Sequence, residues 1–167
     1  MTQPIEQSPA DGHWRQWLDW AAEHAVAVPA DAAFAAARQR VWRASEFAAL
    51  TSARSPQTLA ALIADGSLSR RLAAGEIDAE LTGVLAEVGD EAALHRALRL
   101  FRRRHMLRIV WRDLSGWAEL DETLEDLSEL ADCCIRQALA LLSVWTEAEI
   151  GVPQDSAGQR QPLIVLG

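Results

Sequence analysis

The sequence predicts a mainly α fold: a multi-helix array with a long two-helix hairpin, ending in one orphan β-strand. Three observations carry this. Alanine and leucine dominate, tyrosine is absent and only six prolines occur in 167 residues, so local propensity favours helix nearly throughout. Apolar residues recur at three- and four-residue spacing along most of the chain. Finally, Pro162-Leu-Ile-Val-Leu-Gly167 is a continuous apolar run of the buried-strand type. Half of the residues are apolar, enough for one domain with a real core.

Residues 1–10 are polar, contain Pro4 and are expected to fray. A helical domain is expected over 11–151. Trp14, Trp17, Leu18, Ala21, Ala22 and Ala25 mark a first amphipathic helix that Pro29 should interrupt. Asp31 is a capping residue for a second stripe through Phe34, Ala37, Val41 and Trp42, with a bend or restart near Ser45. Ser55-Pro56 reads as N-cap and first helical residue, Leu59, Leu62 and Ile63 as a buried face, and Gly66 as a terminator. Two further short helices are expected, Ser69 to Ala74 closed by Gly75 and Asp78 to Val88 closed by Gly89.

Asp90-Glu91 opens the strongest pattern. Leu94, Leu98, Phe101, Ile109 and Leu114 sketch one face, and Leu100, Met106, Leu107, Val110 and Trp111 widen it, so this helix should be central. Ser115-Gly116 is a weak break. Asp121 and Glu122 then begin a long partner helix through Leu124, Leu127, Leu130, Ala131, Ile135, Leu139, Leu142 and Trp145 to Gly151, packed on the previous one as a hairpin. Residues 152–161 read as a polar linker and 162–167 as the strand. No earlier segment supplies that strand with partners, so the chain is expected to end inside a second domain.

Charge excludes several functions. A net charge of −8 argues against a general nucleic-acid or membrane-surface binder. The chain lacks lysine, a P-loop and a G-x-G-x-x-G element. Adjacent Cys133 and Cys134 on a helix cannot easily bridge each other and imply a reducing compartment. No basic leader or apolar run of membrane-spanning length is present in the sequence, and a cytoplasmic location follows as an expectation. His13, His24, His95 and His105 have no metal-ligand spacing, and the tryptophans fall in apolar stripes that suit a core better than a stacking platform.

Seven arginines and no acid lie between His95 and Arg112, whereas eight acids and no base lie between Asp113 and Asp132. On one reading the two helices pair their solvated charges across a groove, each exposed pair being worth about 0.5 kcal/mol. The i, i+4 pairs Glu122 with Asp126 and Glu125 with Glu129 then belong to a solvated surface. On the other, some of Arg102, Arg103, Arg104 and Arg108 face another domain or an anionic partner, although Arg102 to Arg104 fan out at about 100° each and cannot share one face. No catalytic, cofactor-binding or metal-ligating residue is assigned.

The stretch Leu98-Arg-Leu-Phe-Arg-Arg-Arg-His-Met-Leu-Arg-Ile-Val-Trp-Arg-Asp-Leu114 resembles the signature helix of the glutamine synthetase adenylyltransferase and adenylyl-removing family. Ser45-Glu-Phe47 followed by Ser55-Pro56, the acidic Leu120 to Ala131 stretch and Gly158-Gln-Arg-Gln-Pro-Leu-Ile-Val-Leu-Gly167 agree in order, so the resemblance covers roughly residues 40 to 167. It implies that the closing run is the first strand of a nucleotidyltransferase domain. That strand leads into a glycine turn and paired carboxylates that hold magnesium, neither of which is in this sequence. It further implies a bifunctional enzyme using ATP and Mg2+ that adds AMP to a glutamine synthetase tyrosine and removes it by phosphorolysis. The remainder of the nucleotidyltransferase domain, glutamine synthetase and the PII regulatory protein are the implied partners. The chain alone is expected to be an inactive helical leader; the alternative is a stand-alone helical interaction module.

Overall fold

The computed structural model describes residues 9–161, and among them the order is α1 (Pro9–Glu23), α2 (Ala32–Ala44), α3 (Glu46–Arg54), α4 (Pro56–Ala64), α5 (Glu76–Leu85), α6 (Glu91–Ser115) and α7 (Leu120–Ile150). The expected strand at 162–167 lies outside the described residues. Within them there is no strand, only an isolated antiparallel bridge between Gln154 and Arg160 that closes a turn around Asp155.

Polar caps punctuate the chain largely where the sequence placed them. Asp31 accepts the Phe34 amide at 2.7 Å and starts α2. Ser45 ends α2 and, accepting the Ala48 amide, starts α3. Asp90 does the same for α6 through the Ala93 amide. The Ser115-Gly116 break is a full helix end, because Gly116 adopts φ 74°, a left-handed geometry that non-glycine residues rarely take.

Three local expectations are corrected. Pro29 does not end α1; the helix stops at Glu23, Ala25 turns the chain at φ 52°, and Val26 returns its amide to Ala21. Ser69 to Ala74 is not a helix, because the carbonyls of Leu68 and Arg70 accept from the arginines of α6 instead of from the next turn. Gly75, read as its terminator, is instead the N-cap of α5, which begins at Glu76, before the expected Asp78, and ends at Leu85, before the expected Val88.

Two apolar cores form, and α6 serves both. The first gathers Trp17, Ala21, Phe34, Val41, Trp42, Leu59 and Leu62 around Leu107 and Trp111. The second packs Ile77, Leu81 and Leu85 of α5 and Leu130 and Cys133 of α7 against Leu94, Phe101 and Ile109. At 25 residues α6 is about 37 Å long, enough to reach both, so its many-sided apolar pattern is that of a central helix. It packs against α2, α3, α4, α5 and α7, the last as the expected hairpin. Leu100, Leu124 and Ile135, assigned to buried stripes from spacing, are instead about half exposed.

Tryptophans fill much of the first core, while Trp145 packs against the second. Trp14 stacks on Trp17 at 5.0 Å and meets Trp42 edge-on at 5.6 Å, while Phe34 stacks on Trp111 at 5.5 Å. The Trp17 indole donates to the Pro56 carbonyl at 3.2 Å, fixing α1 on the start of α4. Trp17 is fully buried, so Trp17→Ala is expected to lower stability by about 3–5 kcal/mol, measured as the shift in a urea unfolding midpoint at unchanged slope.

Candidate partner interface on the arginine helix

The arginines of α6 leave the helix in several directions, and each direction meets a different environment. Arg108 and Arg112, four residues apart, point between α7 and the irregular segment 65–75. Arg108 is fully buried. Its Nη1 donates to Asp126 Oδ2 at 2.5 Å, its Nε to the Ser67 carbonyl at 2.9 Å and its Nη2 to the Arg70 carbonyl at 2.8 Å. Arg112 donates through Nε to Glu122 Oε1 at 2.8 Å and through Nη2 to the Trp117 carbonyl at 3.1 Å. An i, i+4 pair of arginines thus faces an i, i+4 pair of carboxylates.

This corrects the solvated-surface reading of Glu122 and Asp126, which are buried along with both arginines. Pairing between the two helices is intramolecular as one reading expected, but these two pairs lie in the protein interior. Glu125 and Glu129 do face outward, with separate tasks. Glu125 pairs with Arg71 at 2.6 Å. Glu129 accepts the amides of Gly75 and Asp78, both at 3.1 Å, and so places its charge at the N-terminus of α5. That cap explains why α5 begins earlier than its own sequence suggests.

Arg104 ties the end of α4 to α5. It pairs with Asp65 and, at 3.1 Å, with Glu80, whose Oε2 lies 3.2 Å from Nε2 of the buried His105. His105 first, and Arg104 after it, hold the Glu80 carboxyl below its ordinary value against the opposing effect of burial. Burial works the other way at Asp65 too, but Ser67 and Arg104 keep that carboxyl low. Glu76 is drawn from 4.5 to about 2, chiefly by its hydrogen bond from Arg70 and then by the Ala73 amide. Burial pushes the Cys133 thiol up to about 12, so it is a packing residue rather than a nucleophile.

Arg102 and Arg103 face elsewhere. Together with Arg99 they rim a depression of about 570 Å³ whose apolar lining includes Phe47, Leu98 and Met106. Arg103 donates to Ser55 Oγ at 2.9 Å, and Ser55, although it sits at the N-cap position of α4, makes no side-chain cap of that helix. Of the four arginines singled out from the sequence, then, Arg108 and Arg104 hold the protein's own elements together, while Arg102 and Arg103 line an open surface. The sequence reading missed Phe47 as a surface residue; it is 43% exposed, and its only signal was its place in the quoted Ser-Glu-Phe motif. Among the described residues no three His, Cys, Asp or Glu side chains converge as a metal site.

Two predictions follow from these pairs. Asp126→Ala leaves the buried Arg108 only Glu122, 4.0 Å from its Nη2, as a counter-charge and is expected to cost about 3 kcal/mol in urea unfolding, whereas Arg108→Met combined with Asp126→Leu should recover most of that loss. Depressed carboxylates stabilise the fold above their unfolded pKa and lose that contribution as pH falls through the folded value. With Glu76 moving from 4.5 to about 2 and Glu80 and Asp65 lowered in the same sense, the melting temperature should fall as pH drops from 4.5 toward 2. Arg70→Gln should flatten that fall.

A family model described as glutamate-ammonia ligase adenylyltransferase matches residues 36–167, from within α2 onward. Relatives named bifunctional glutamine synthetase adenylyltransferase/adenylyl-removing enzyme include those of Thioalkalivibrio sulfidiphilus, 52% identical over 128 residues, Nitrosococcus oceani, 43% over 128, and Pseudomonas putida, 41% over 129. The matched stretch covers 77%, 76% and 77% of this chain, respectively, and 13% of each relative's length. The resemblance carried by α6 therefore extends over most of the chain, which belongs to the glutamate-ammonia ligase adenylyltransferase family.

Proposed function

We propose that this chain is the helical scaffold of a bifunctional enzyme that adds AMP to a glutamine synthetase tyrosine and removes it, and so controls nitrogen assimilation in the cytoplasm. The observation that carries this reading is the use the fold makes of the family's signature helix. Three of its side chains, Arg104, Arg108 and Arg112, bind α4, α5, α7 and the 65–75 segment into one body. A segment whose distinguishing residues are committed to holding helices together is suited to positioning a neighbouring domain.

On this reading the run at 162–167 enters a nucleotidyltransferase domain, and α6 and α7 set its position. Glutamine synthetase and the PII regulatory protein are the partners such an enzyme would meet. ATP and Mg2+ would supply the nucleotide and the charge neutralisation for its transfer. The buried carboxylates Glu122 and Asp126 are themselves neutralised by Arg108 and Arg112 rather than left free for a metal. Their part is orientation. No helix among the described residues is long and apolar enough to cross a membrane.

A chimera tests the proposal. Residues 36–167 replace the matching segment of the Thioalkalivibrio sulfidiphilus relative, and addition and release of AMP on glutamine synthetase are followed by mass spectrometry. Both activities should persist in the chimera and drop sharply when Asp126→Ala is added. A chimera that melts cooperatively yet transfers and releases no AMP would refute the assignment and leave a stand-alone interaction module.

A further inference from the structure

We infer that the depression beside Phe47 docks an acidic amphipathic helix of a separate partner protein. Phe47 of α3 stands 43% exposed, and the apolar lining continues through Leu98 and Met106 of α6. Arg99, Arg102 and Arg103 rim it, and an adjoining depression of about 300 Å³ that shares Phe47 and Arg103 adds Arg54. Among the described residues no carboxylate lines either one. In a chain of net charge −8, this concentrates positive charge around an apolar floor.

Among the described residues the chain's own acids do not serve this surface. Glu122 and Asp126 are occupied by Arg112 and Arg108, and Glu129 by the start of α5. Arg104, the neighbour of Arg103 in sequence, is already neutralised by Asp65 and Glu80. Arg99 and Arg102 form no ion pair among the described residues, and Arg103 has the neutral Ser55 hydroxyl as its partner. Guanidinium forks left in this state suit carboxylates. The apolar floor asks for apolar side chains from the same ligand, which an amphipathic helix presents at i, i+3 and i+4. A nucleic acid would supply the anions but not the apolar face, and the net charge would repel it at long range.

The inference rests on this surface alone and not on the adenylyltransferase reading. The test uses the 167-residue chain and a fluorescein-labelled helical peptide of Glu-Glu-Leu-Phe repeats, titrated by fluorescence anisotropy. Saturable binding that weakens with added salt is expected. Arg99→Glu with Arg102→Glu should weaken it roughly tenfold, and Phe47→Ser several-fold. The matched reversal Arg71→Glu with Arg136→Glu, in a different depression, should leave it unchanged. Because Arg99 and Arg102 are exposed, their reversal should preserve the thermal melt; if it does not, Arg99→Gln with Arg102→Gln provides the same comparison. Absence of peptide binding, equal binding of a Gln-for-Glu peptide, equal binding by the reversed variant, or tighter binding of single-stranded RNA overturns the inference. So does self-association in sedimentation velocity that the same reversal abolishes, since the occupant would then be a second copy.

Discussion

Two guanidinium groups taken out of water between α6 and α7 set the constraint to which the surrounding structure conforms. Desolvating such ions is costly, and their attraction to Asp126 and Glu122 offsets the penalty only if the remaining N–H donors also find acceptors. They do, in the carbonyls of Ser67, Arg70 and Trp117. The irregular run between α4 and α5 therefore has its course fixed by Arg108, and a regular helix there would withdraw the acceptors that the buried charge requires. A displacement of α7 along α6 would separate both pairs at once, so the double pair also sets the register of the hairpin.

Seen from this pair, the crowded arginines of α6 divide by direction. One face enters the interior against α7, another reaches Asp65 and Glu80 at the junction of α4 and α5, and a third opens to solvent beside Phe47. The apolar residues between them point into two cores. A helix with so many neighbours tolerates little change in its side chains.

The acids of α7 divide in the same way. Glu122 and Asp126 turn inward to neutralise arginine, whereas Glu129 turns toward the amides of Gly75 and Asp78 and supplies to α5 the anion that its own N-cap, a glycine, lacks. Charge that is segregated along the sequence is therefore matched in space within the fold, and the exposed arginines beside Phe47 are an exception to that balance.

Much of the fold was legible in the sequence, because capping and apolar periodicity are local. Asp31, Ser45 and Asp90 start helices through side chains that reach only three residues ahead, and Gly116 ends one through a backbone angle that glycine accepts readily. The buried faces of α2 and α4 and the centrality of α6 follow from spacing alone. The family, too, could be recognised from the order of residues in one helix.

Only the tertiary structure decided which charges were buried, because an i, i+4 pair of carboxylates looks the same in a sequence whether its neighbour is water or an arginine on another helix. It also turned Ser69 to Ala74 away from helix, moved the start of α5 and left Phe47 at the surface, each through groups distant in sequence: Arg108 for the first, Glu129 for the second and the arrangement of α3 on α6 for the third. What the sequence determined by itself were most of the helices, their order and the main apolar stripes; how the ionic groups were distributed between interior and surface depended on which helices met, since the cost of a charge is set by what surrounds it in space.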